Sequence, residues 1–425
     1  MFSRRQFLEN GLKGSALVSL SGAVPSFIGA TAQAAEVGQD TVLVVVQLSG
    51  GNDGLNTVIP YGDDLYHKAR PTLRFKKDEV IRIDDHIGLN PSLSRLQDLL
   101  KADRLAIVQG VGYPNPNRSH FRSMDIWHTA DRGPRQPTGW LGRSLSSIDI
   151  TEGGIPAFHI GDSDLPLALQ STSANVPTLH RNKLFSLQLS GVPRDDSQIQ
   201  STLKKSDKES RASLIRELTQ TNADNPNDLL QFVSRTSLRA YTTIDRLRDV
   251  LREHRILQKS SGIHADLDLV ARMIKAGFGT RVFYVAMDGF DTHAGQRDTQ
   301  AHLLDQLATA ISDFFKQFKT FGKFHDSNRV LLMTFSEFGR RVRENGSQGT
   351  DHGAASNMFL VGPAVKGGSI GEHPSLKPED LAGGDLRFHT DFRQVYATIL
   401  DQWLKCDSRR VLGKQFEHVE LFKKS

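Results

Sequence analysis

The residues best suited to chemistry in this 425-residue chain lie in short polar loops that each follow an apolar run. "SGGNDGLN" carries Asn52 and Asp53, "FDTHAGQ" carries Asp291 and His293, and "SQGTDHGAAS" carries Asp351 and His352. Mixed sets of carboxylates and imidazoles suit Zn²⁺ or Mn²⁺ better than Ca²⁺. The pattern therefore indicates a distributed site for one or two divalent metal ions, and two ions would clamp an in-line displacement at a phosphate or sulfate ester.

A second polar group surrounds the start of a predicted helix, "SHFRSMDIWHTA". Ser119 stands at the helix N-terminus, where free N–H groups and the macrodipole attract an anion. A serine hydroxyl activated by a metal ion would serve as a nucleophile. Arg118 and Arg122 flank Ser119 and would hold substrate oxygens bidentately, with Asn52 as a further candidate for substrate binding.

Each candidate also has a structural interpretation. Asp53 would shape a tight turn, because Gly, Asn and Asp accept positive φ angles, and Ser119 would act as a helix N-cap. His389 is the late ligand candidate, although Asp391 beside it competes for that position and is itself a good N-cap. The "SEFGRR" residues have similar alternatives, since Glu337 would cap a helix or pair with an arginine, and Arg340 and Arg341 would lie on a solvated face. We exclude His128 and His373 as isolated histidines.

These loops require a framework of buried strands. The continuous apolar runs at 40–50 and 105–112 predict buried parallel strands. Further strands are predicted at "TRVFYVAMDG", "RVLLMTFSE" and "NMFLVG", with helices between them and after them. This alternation predicts an α/β fold, a three-layer sandwich with a mostly parallel central sheet. In open sheets of this kind, ligands bind outside the carboxyl ends of the strands, where the polar loops fall.

The first 34 residues have the plan of a secretory signal peptide, with a basic start, a Gly/Ser-rich apolar middle and a small-residue "AQA" end. Arg4 and Arg5 in "SRRQFLE" resemble the twin-arginine export signal, and a disordered basic tail is the alternative. We therefore expect the twin-arginine machinery as a partner and a periplasmic or extracellular location. Residues 35–425 would form one domain, with a polar helical insertion at about 190–262.

Charge and hydropathy exclude other classes. The net charge is +5, and removing residues 1–34 takes away three basic residues and one acidic residue, leaving +3. The sequence has no basic stripe interleaved with aromatic residues, the pattern typical of proteins that bind nucleic acid. No stretch after residue 34 reaches the roughly 18 apolar residues of a membrane span. A single cysteine, Cys406, excludes an internal disulfide. An oxidoreductase finds little support, because no G-x-G-x-x-G follows either early strand.

Five motifs together resemble the exported bacterial family called domain of unknown function 1501: "QLSGGNDGLNTVIPY", "GYPNPNRSHFRSMDIW", "GFDTHAGQ", "TFSEFGRR" and "GTDHG". That family is similar to the alkaline phosphatase superfamily, which includes sulfatases and metal-dependent phosphoglycerate mutases. The resemblance implies an alkaline phosphatase-like fold, with "TDHG" as a loop in which both Asp351 and His352 bind metal. The chain departs from the superfamily in placing Asp53 several residues after its strand and Asp291 only two residues before His293.

The sequence thus predicts an exported metal-dependent hydrolase acting on a small or polymeric anionic phosphate or sulfate ester. The expected nucleophile is Ser119, and the expected metal ligands are Asp53, Asp291, His293, Asp351, His352 and His389. The alternative is a non-catalytic binding or assembly protein with a degenerate alkaline phosphatase-like site. Such a protein would bind no stoichiometric transition metal.

Overall fold

The computed structural model describes residues 41–133, 136–148, 155–174, 176–180, 186–188, 250, 262–319 and 328–424. The predicted signal peptide lies outside the described residues. So does the predicted insertion at 190–262, apart from residues 250 and 262.

The strands are β1 (Val42–Leu48), β2 (Val58–Ile59), β3 (Ile81–Arg82), β4 (Gly88–Leu89), β5 (Leu105–Gly112), β6 (Ala157–Ile160), β7 (Thr178–His180), β8 (Ser186–Gln188), β9 (Val282–Met287), β10 (Val330–Phe335), β11 (Ser356–Val361), β12 (Gly368–Ile370) and β13 (Thr390–Asp391). The α-helices are α1 (Gly54–Thr57), α2 (Asp64–Ala69), α3 (Gln97–Lys101), α4 (His120–Thr129), α5 (Trp140–Ser144), α6 (Ile263–Lys275), α7 (Gln296–Lys319), α8 (Phe392–Thr398) and α9 (Ser408–Leu412). Single 3₁₀ turns or short 3₁₀ helices occupy Pro91–Leu96, Leu167–Leu169 and Pro378–Asp380, and a π-helix occupies Ile399–Leu404.

The central sheet has the strand order β12-β5-β11-β10-β1-β9-β6-β7-β8, with β13 beside β5. β1 pairs in parallel with both β10 and β9, and β6 extends the parallel set to β7. β11 and β8 run antiparallel to their neighbours. β1 occupies the middle because its seven residues, VLVVVQL, are almost all apolar and tolerate burial on both faces. The prediction of a mixed α/β fold with a mostly parallel sheet is confirmed.

Alternate residues of β1 enter two separate cores. Val44 belongs to the core that includes Leu267 of α6 and Leu304 of α7. Val45 belongs to the opposite core, with Trp127 of α4 and the Tyr396 ring of α8. Successive strand side chains point to opposite faces, so each face needs its own helical cover. The sheet therefore lies between two helical layers, as the three-layer prediction requires.

The direction of β11 differs from a simple strand–helix–strand alternation. The segment 336–355, which joins β10 to β11, contains no helix that would carry the chain back across the sheet. An antiparallel return needs no such crossover, whereas a parallel one does. Residues 336–355 consequently stay at the carboxyl edge of β10, and this keeps the "TDHG" loop beside the ends of the parallel strands.

Two helices also differ from the predicted pattern. The helix that precedes β5 begins as a 3₁₀ helix, Pro91–Leu96, and becomes α-helical only at Gln97–Lys101. The last predicted helix starts at Phe392, behind a capping box formed by Asp391, and continues as the π-helix. Among the described helices none is both long and apolar enough to cross a membrane.

Candidate metal centre

Three side chains from separate parts of the chain converge at the carboxyl edge of the sheet. His120, Asp291 and His352 each offer one ligand-type atom, and these atoms lie within 4.8 Å of one another. Asp291 follows β9, His120 opens α4, and His352 lies in the loop before β11. The loops that sequence analysis selected therefore do meet at one edge.

His293 adjoins this group. Its Nε2 lies 2.9 Å from Nε2 of His352 and 3.2 Å from Oδ1 of Asp291. Nε2 of His352 lies 3.1 Å from the same carboxylate oxygen. Nδ1 of His293 is 3.3 Å from Oδ1 of Asp351, so the Asp351 carboxylate accepts from the far side of the ring. We call His120, Asp291, His293 and His352 the histidine cluster.

The other two imidazoles are also fixed through Nδ1. Nδ1 of His120 lies 2.8 Å from Oε1 of Glu337, and Nδ1 of His352 lies 2.9 Å from the carbonyl oxygen of Arg118. A carbonyl oxygen can only accept, so Nδ1 of His352 carries a proton. In the neutral ring Nε2 then presents a lone pair, and in the protonated ring Nε2 donates to Oδ1 of Asp291. Metal-binding histidines have this arrangement, in which a carboxylate or carbonyl holds one ring nitrogen and the other faces the ion.

The cluster contains acceptor atoms without matching donors. Nε2 of His120 is buried, has no hydrogen-bond partner, and lies 3.5 Å from Oδ2 of Asp291. The Nε2 atoms of His293 and His352 face each other while their Nδ1 atoms point to acceptors. An ionised carboxylate also only accepts. Lone pairs crowded in this way require a cation or a proton between them, and a nitrogen-rich set with one carboxylate suits zinc or a similar divalent ion.

The Glu337 carboxylate accepts the hydrogen bond from Nδ1 of His120. Its side chain is 1% exposed, and its carboxylate accepts from the backbone N–H of Gly50 at 2.9 Å and the Ser336 hydroxyl at 3.1 Å. The hydrogen bond from His120 to this buried carboxylate raises the pKa of His120 above its usual value. A carboxylate bonded to a ligand histidine raises the basicity of that ligand.

Arg340 joins the three loops that form the cluster. Its buried guanidinium donates from Nε to the carbonyl oxygen of Gly51 at 2.6 Å, from Nη1 to that of Thr350 at 2.7 Å, and from Nη2 to Oδ1 of Asp291 at 2.7 Å. Although partial burial by itself acts to raise it, the pKa of Asp291 is lowered by hydrogen bonds from Arg340 and His352. Gly50 has a φ of +116°, and a Cβ there would lie 2.4 Å from the Asp291 backbone nitrogen. The close approach of the two loops therefore requires glycine at this position.

The structure does not bring Asp53 into the cluster. Its carboxylate is buried and binds the guanidinium of Arg70 at 2.5 Å and 3.0 Å. It also accepts from the backbone N–H of Leu55, as the N-cap of α1, and from the Gln296 amide. Both carboxylate oxygens of Asp53 therefore accept two hydrogen bonds each from protein groups.

Two other predicted residues also lie elsewhere. Asn52 is buried, and its side chain exchanges hydrogen bonds with Thr57 and Gln300. His389 has its Nε2 2.8 Å from the carbonyl oxygen of Glu372 and its Nδ1 3.0 Å from the Thr390 hydroxyl. Asp391, which competed with His389 for the late ligand position, forms the capping box of α8, so the N-cap interpretation of Asp391 is confirmed.

Ser119 directly precedes His120 of the cluster in the chain, whereas the arginine side chains on either side bind groups elsewhere. Ser119 is exposed at the N-cap position of α4, and its hydroxyl makes no cap hydrogen bond. It lies between Arg118, whose carbonyl holds His352, and His120. The Arg118 guanidinium instead binds Asp385, with Nε 2.9 Å from Oδ2. The Arg122 guanidinium donates to the carbonyl oxygen of Arg132 at 2.7 Å, at the other end of α4.

Three participants were not assigned to the site from the sequence: His120, Glu337 and Arg340. The expectation that Arg340 lies on a solvated face is wrong, because its side chain is buried. His120 directly follows Ser119 in the motif already selected, so its position was a usable signal. Glu337 and Arg340 follow β10 at the same edge as Asp291 follows β9, but their roles depend on contacts with residues far away in sequence. The ring of Phe338 between them packs against His120 and His352, with ring centroids 4.9 Å and 4.7 Å apart.

The model of the family described as "Protein of unknown function (DUF1501)" matches residues 40–416. This chain belongs to the DUF1501 family. All four members of the histidine cluster lie within the matched range. A search of curated proteins found no match.

Similar solved structures include the PsFucS1 sulfatase from Pseudoalteromonas sp. and the lipoteichoic acid synthase LtaP from Listeria monocytogenes. The sulfatase is 11% identical, with 92% of this chain and 71% of that chain covered and a TM-score of 0.36. LtaP is 8% identical, with 78% of this chain and 67% of that chain covered and a TM-score of 0.32. Similarity this low carries no argument about the DUF1501 protein, so its fold assignment depends on its own sheet and its site on its own residues.

Proposed function

We propose that this DUF1501 protein is an exported hydrolase of phosphate or sulfate esters that works with one divalent ion, zinc or manganese. One observation carries the proposal. Three imidazole Nε2 atoms and the Asp291 carboxylate converge, and the exposed Ser119 directly precedes one of these histidines, His120. The twin-arginine signal predicted in residues 1–34 supports the exported location.

The histidine cluster would hold the ion. Glu337, Asp351 and the Arg118 carbonyl would orient its three rings through Nδ1. Asp351 is thus proposed as a positioning residue for His293, in place of the ligand role that the "TDHG" resemblance implied. A bound divalent ion would supply Lewis-acid polarisation of an ester oxygen.

We favour one ion over two because fixed guanidinium groups already neutralise the neighbouring acids. Arg70 binds Asp53 on both carboxylate oxygens. Arg340, fully buried, donates to Asp291. An additional cation would have to displace a buried arginine from its carboxylate, and breaking a buried ion pair costs several kcal/mol.

Ser119 is the proposed nucleophile. Its hydroxyl is exposed and uncommitted at the start of the ten-residue helix α4. Free N–H groups in the first turn of a helix attract an anion, so the tetrahedral ester group would be bound next to the hydroxyl. The Ser119 oxygen would bond to phosphorus or sulfur as the bond to the leaving oxygen breaks. The hydroxyl proton would pass to the leaving alcohol, and water would then release phosphate or sulfate from Ser119.

One observation favours the alternative, a binding or assembly protein without chemistry. The predicted contacts to the substrate anion, Asn52 and the Arg122 guanidinium, are both engaged within the protein. A binding protein that keeps an intact cluster would hold a metal ion without turnover, whereas the degenerate site expected from the sequence would bind no stoichiometric transition metal. The two candidates therefore differ in turnover, not in fold.

The deciding experiment is turnover of p-nitrophenyl phosphate and p-nitrophenyl sulfate by the mature protein reconstituted with zinc or manganese. We expect turnover of one ester class, with Ser119→Ala reducing it by about 10³-fold or more and leaving the bound metal unchanged. Ser94→Ala, at an exposed serine of the Pro91–Leu96 segment, is the matched control and should remain active. A metal-loaded parent that turns over neither ester class would favour the binding protein.

A further inference from the structure

Two arginines beside the histidine cluster share one buried carboxylate. Arg118 binds Oδ2 of Asp385 through Nε, at 2.9 Å, and through Nη2. Arg341 approaches Oδ1 of the same residue, with its Nε at 3.4 Å. The Asp385 side chain is 3% exposed, whereas those of Arg118 and Arg341 are 43% and 39% exposed. The carboxylate therefore lies beneath two guanidinium groups that face solvent.

The backbone ties this arrangement to the histidine cluster. The carbonyl oxygen of Arg118 accepts from Nδ1 of His352 at 2.9 Å. The backbone N–H of Arg341 donates to the carbonyl oxygen of Asp351 at 3.0 Å, one residue after Arg340. The backbone of each arginine is therefore held next to a residue of the cluster loops, and both side chains extend from there to Asp385.

The charges of the three side chains do not balance. Two guanidinium groups and one carboxylate leave one positive charge, and within the described chain neither arginine makes an ion pair with a second acid. The Nη2 group of Arg341 donates to the carbonyl oxygen of Gly383 at 2.8 Å, while Nη1 of each arginine makes no hydrogen bond to a described residue. Paired guanidinium groups with free donors suit carboxylate, sulfate or phosphate oxygens.

We propose that Arg118 and Arg341, held side by side by Asp385, form a second anion subsite that selects esters carrying a further negative group. This inference rests on the proposed function, in which the histidine cluster takes the scissile ester. The shared chemistry of the second group is an oxyanion, either a carboxylate, a sulfate or a phosphate. The subsite would bind that group and so position the ester, while taking no part in bond cleavage.

Equilibrium binding of non-hydrolysable probes to the metal-reconstituted protein tests the subsite separately from turnover. The probes are alkylphosphonates of two to six carbons with an uncharged end, and the same chains ending in carboxylate, sulfonate or phosphonate. We expect at least one doubly anionic probe to bind about tenfold more tightly than its singly charged counterpart. Arg341→Gln should remove most of that advantage and leave the affinity for the uncharged-end probe within about twofold.

Matched variants separate this role from a purely structural one. Arg343→Gln removes the same charge two residues away, at an exposed side chain, and should retain the full preference. Arg341→Lys keeps the charge but loses the planar guanidinium group that donates two parallel hydrogen bonds. This variant should therefore retain an intermediate preference for the doubly anionic probe. Equal binding of singly and doubly charged probes by the parent would overturn the proposal, as would an unchanged preference in Arg341→Gln. Failure of the proposed function alone would appear as absent turnover with the probe preference still present.

Discussion

Two acids that follow neighbouring parallel strands have opposite environments in this protein. Asp53 follows β1, is 1% exposed, and is bound by Arg70 through both oxygens. Asp291 follows β9, has a side chain that is 48% exposed, and faces imidazole nitrogens together with Arg340. The sequence predicts the same metal site for both, since both are acids in glycine-containing loops at one edge of the sheet.

The difference lies in what satisfies each carboxylate. A buried carboxylate must be paired and hydrogen-bonded by the protein itself, and an exposed one need not be. Asp53 meets that need through Arg70, Leu55 and Gln296, and so contributes to stability. Asp291 keeps its second oxygen beside the unpartnered Nε2 of His120, and so remains available to a cation.

The largest expected effect is the difference in turnover between variants of the two acids. Asp291→Asn should lower turnover by about 10³-fold or more, because a lost metal ligand removes several kcal/mol of transition-state stabilisation. Asp53→Asn should change turnover per folded molecule by less than about tenfold. Steady-state rates, corrected for the folded fraction by circular dichroism, provide the measurement. Equal losses in the two variants would remove the distinction between the two sites.

For the free energy of unfolding, we expect the larger loss in the Asp53 variant and the smaller loss in the Asp291 variant. Asp53→Asn leaves the Arg70 charge buried without its partner, and we expect the free energy of unfolding to fall by about 3–5 kcal/mol. Asp291→Asn keeps an oxygen for Arg340 in a half-exposed position, so the expected loss is about 1 kcal/mol. Urea unfolding of the metal-free proteins measures both. A larger loss in Asp291→Asn would contradict the assignment of Asp53 to structure.

Glu337 should act through His120 and therefore have a smaller effect. Glu337→Gln removes the charge that orients the ring, and metal affinity should fall by about 10- to 100-fold while the stoichiometry at saturation is kept. Competition with a chelator of known affinity gives the value. Glu379→Gln, at an exposed site, is the control and should not change the affinity. A complete loss of stoichiometric binding would instead make Glu337 a direct ligand.

A pH-dependent effect is expected from a histidine that is buried without a charged partner. His128 lies on the same helix as His120, but burial lowers its pKa to about 3. As the pH falls below about 6.5, the unfolded chain takes up a proton that the folded chain does not. The free energy of unfolding should therefore decrease by up to about 1.4 kcal/mol per pH unit toward pH 3.

His128→Gln should flatten this acid dependence, which urea unfolding at about pH 7 and about pH 5 would measure. His302→Gln, at an exposed histidine of α7, is the control and should keep the parent slope. A parent slope unchanged by His128→Gln would show that other groups cause the acid dependence.

Much of the fold was predictable because hydrophobic periodicity acts locally. β1, β5, β9 and β10 are continuous apolar runs, and the predicted strands at these positions are confirmed. The direction of β11 was not predictable from its own residues. It depends on the helix-free segment 336–355, and an apolar strand has the same pattern in either direction.

The location of the site was more predictable from the sequence than the role of each residue in it. The strand-end rule selected the loops of Asp291, His293 and His352, which the structure brings together. It did not reveal that Arg70 neutralises Asp53, or that Glu337 holds His120 across 217 positions of sequence. Such pairings depend on the tertiary fold, and residue type and spacing do not encode them locally.

The most direct test of the central claim is elemental analysis of the purified mature protein after reconstitution with zinc or manganese. We expect about one equivalent of metal in the parent, none in the Asp291→Ala, His352→Ala double variant, and about one in the folded fraction of Asp53→Asn. No bound metal in the parent, or metal retained by the double variant, would contradict the assignment of the histidine cluster as the metal centre.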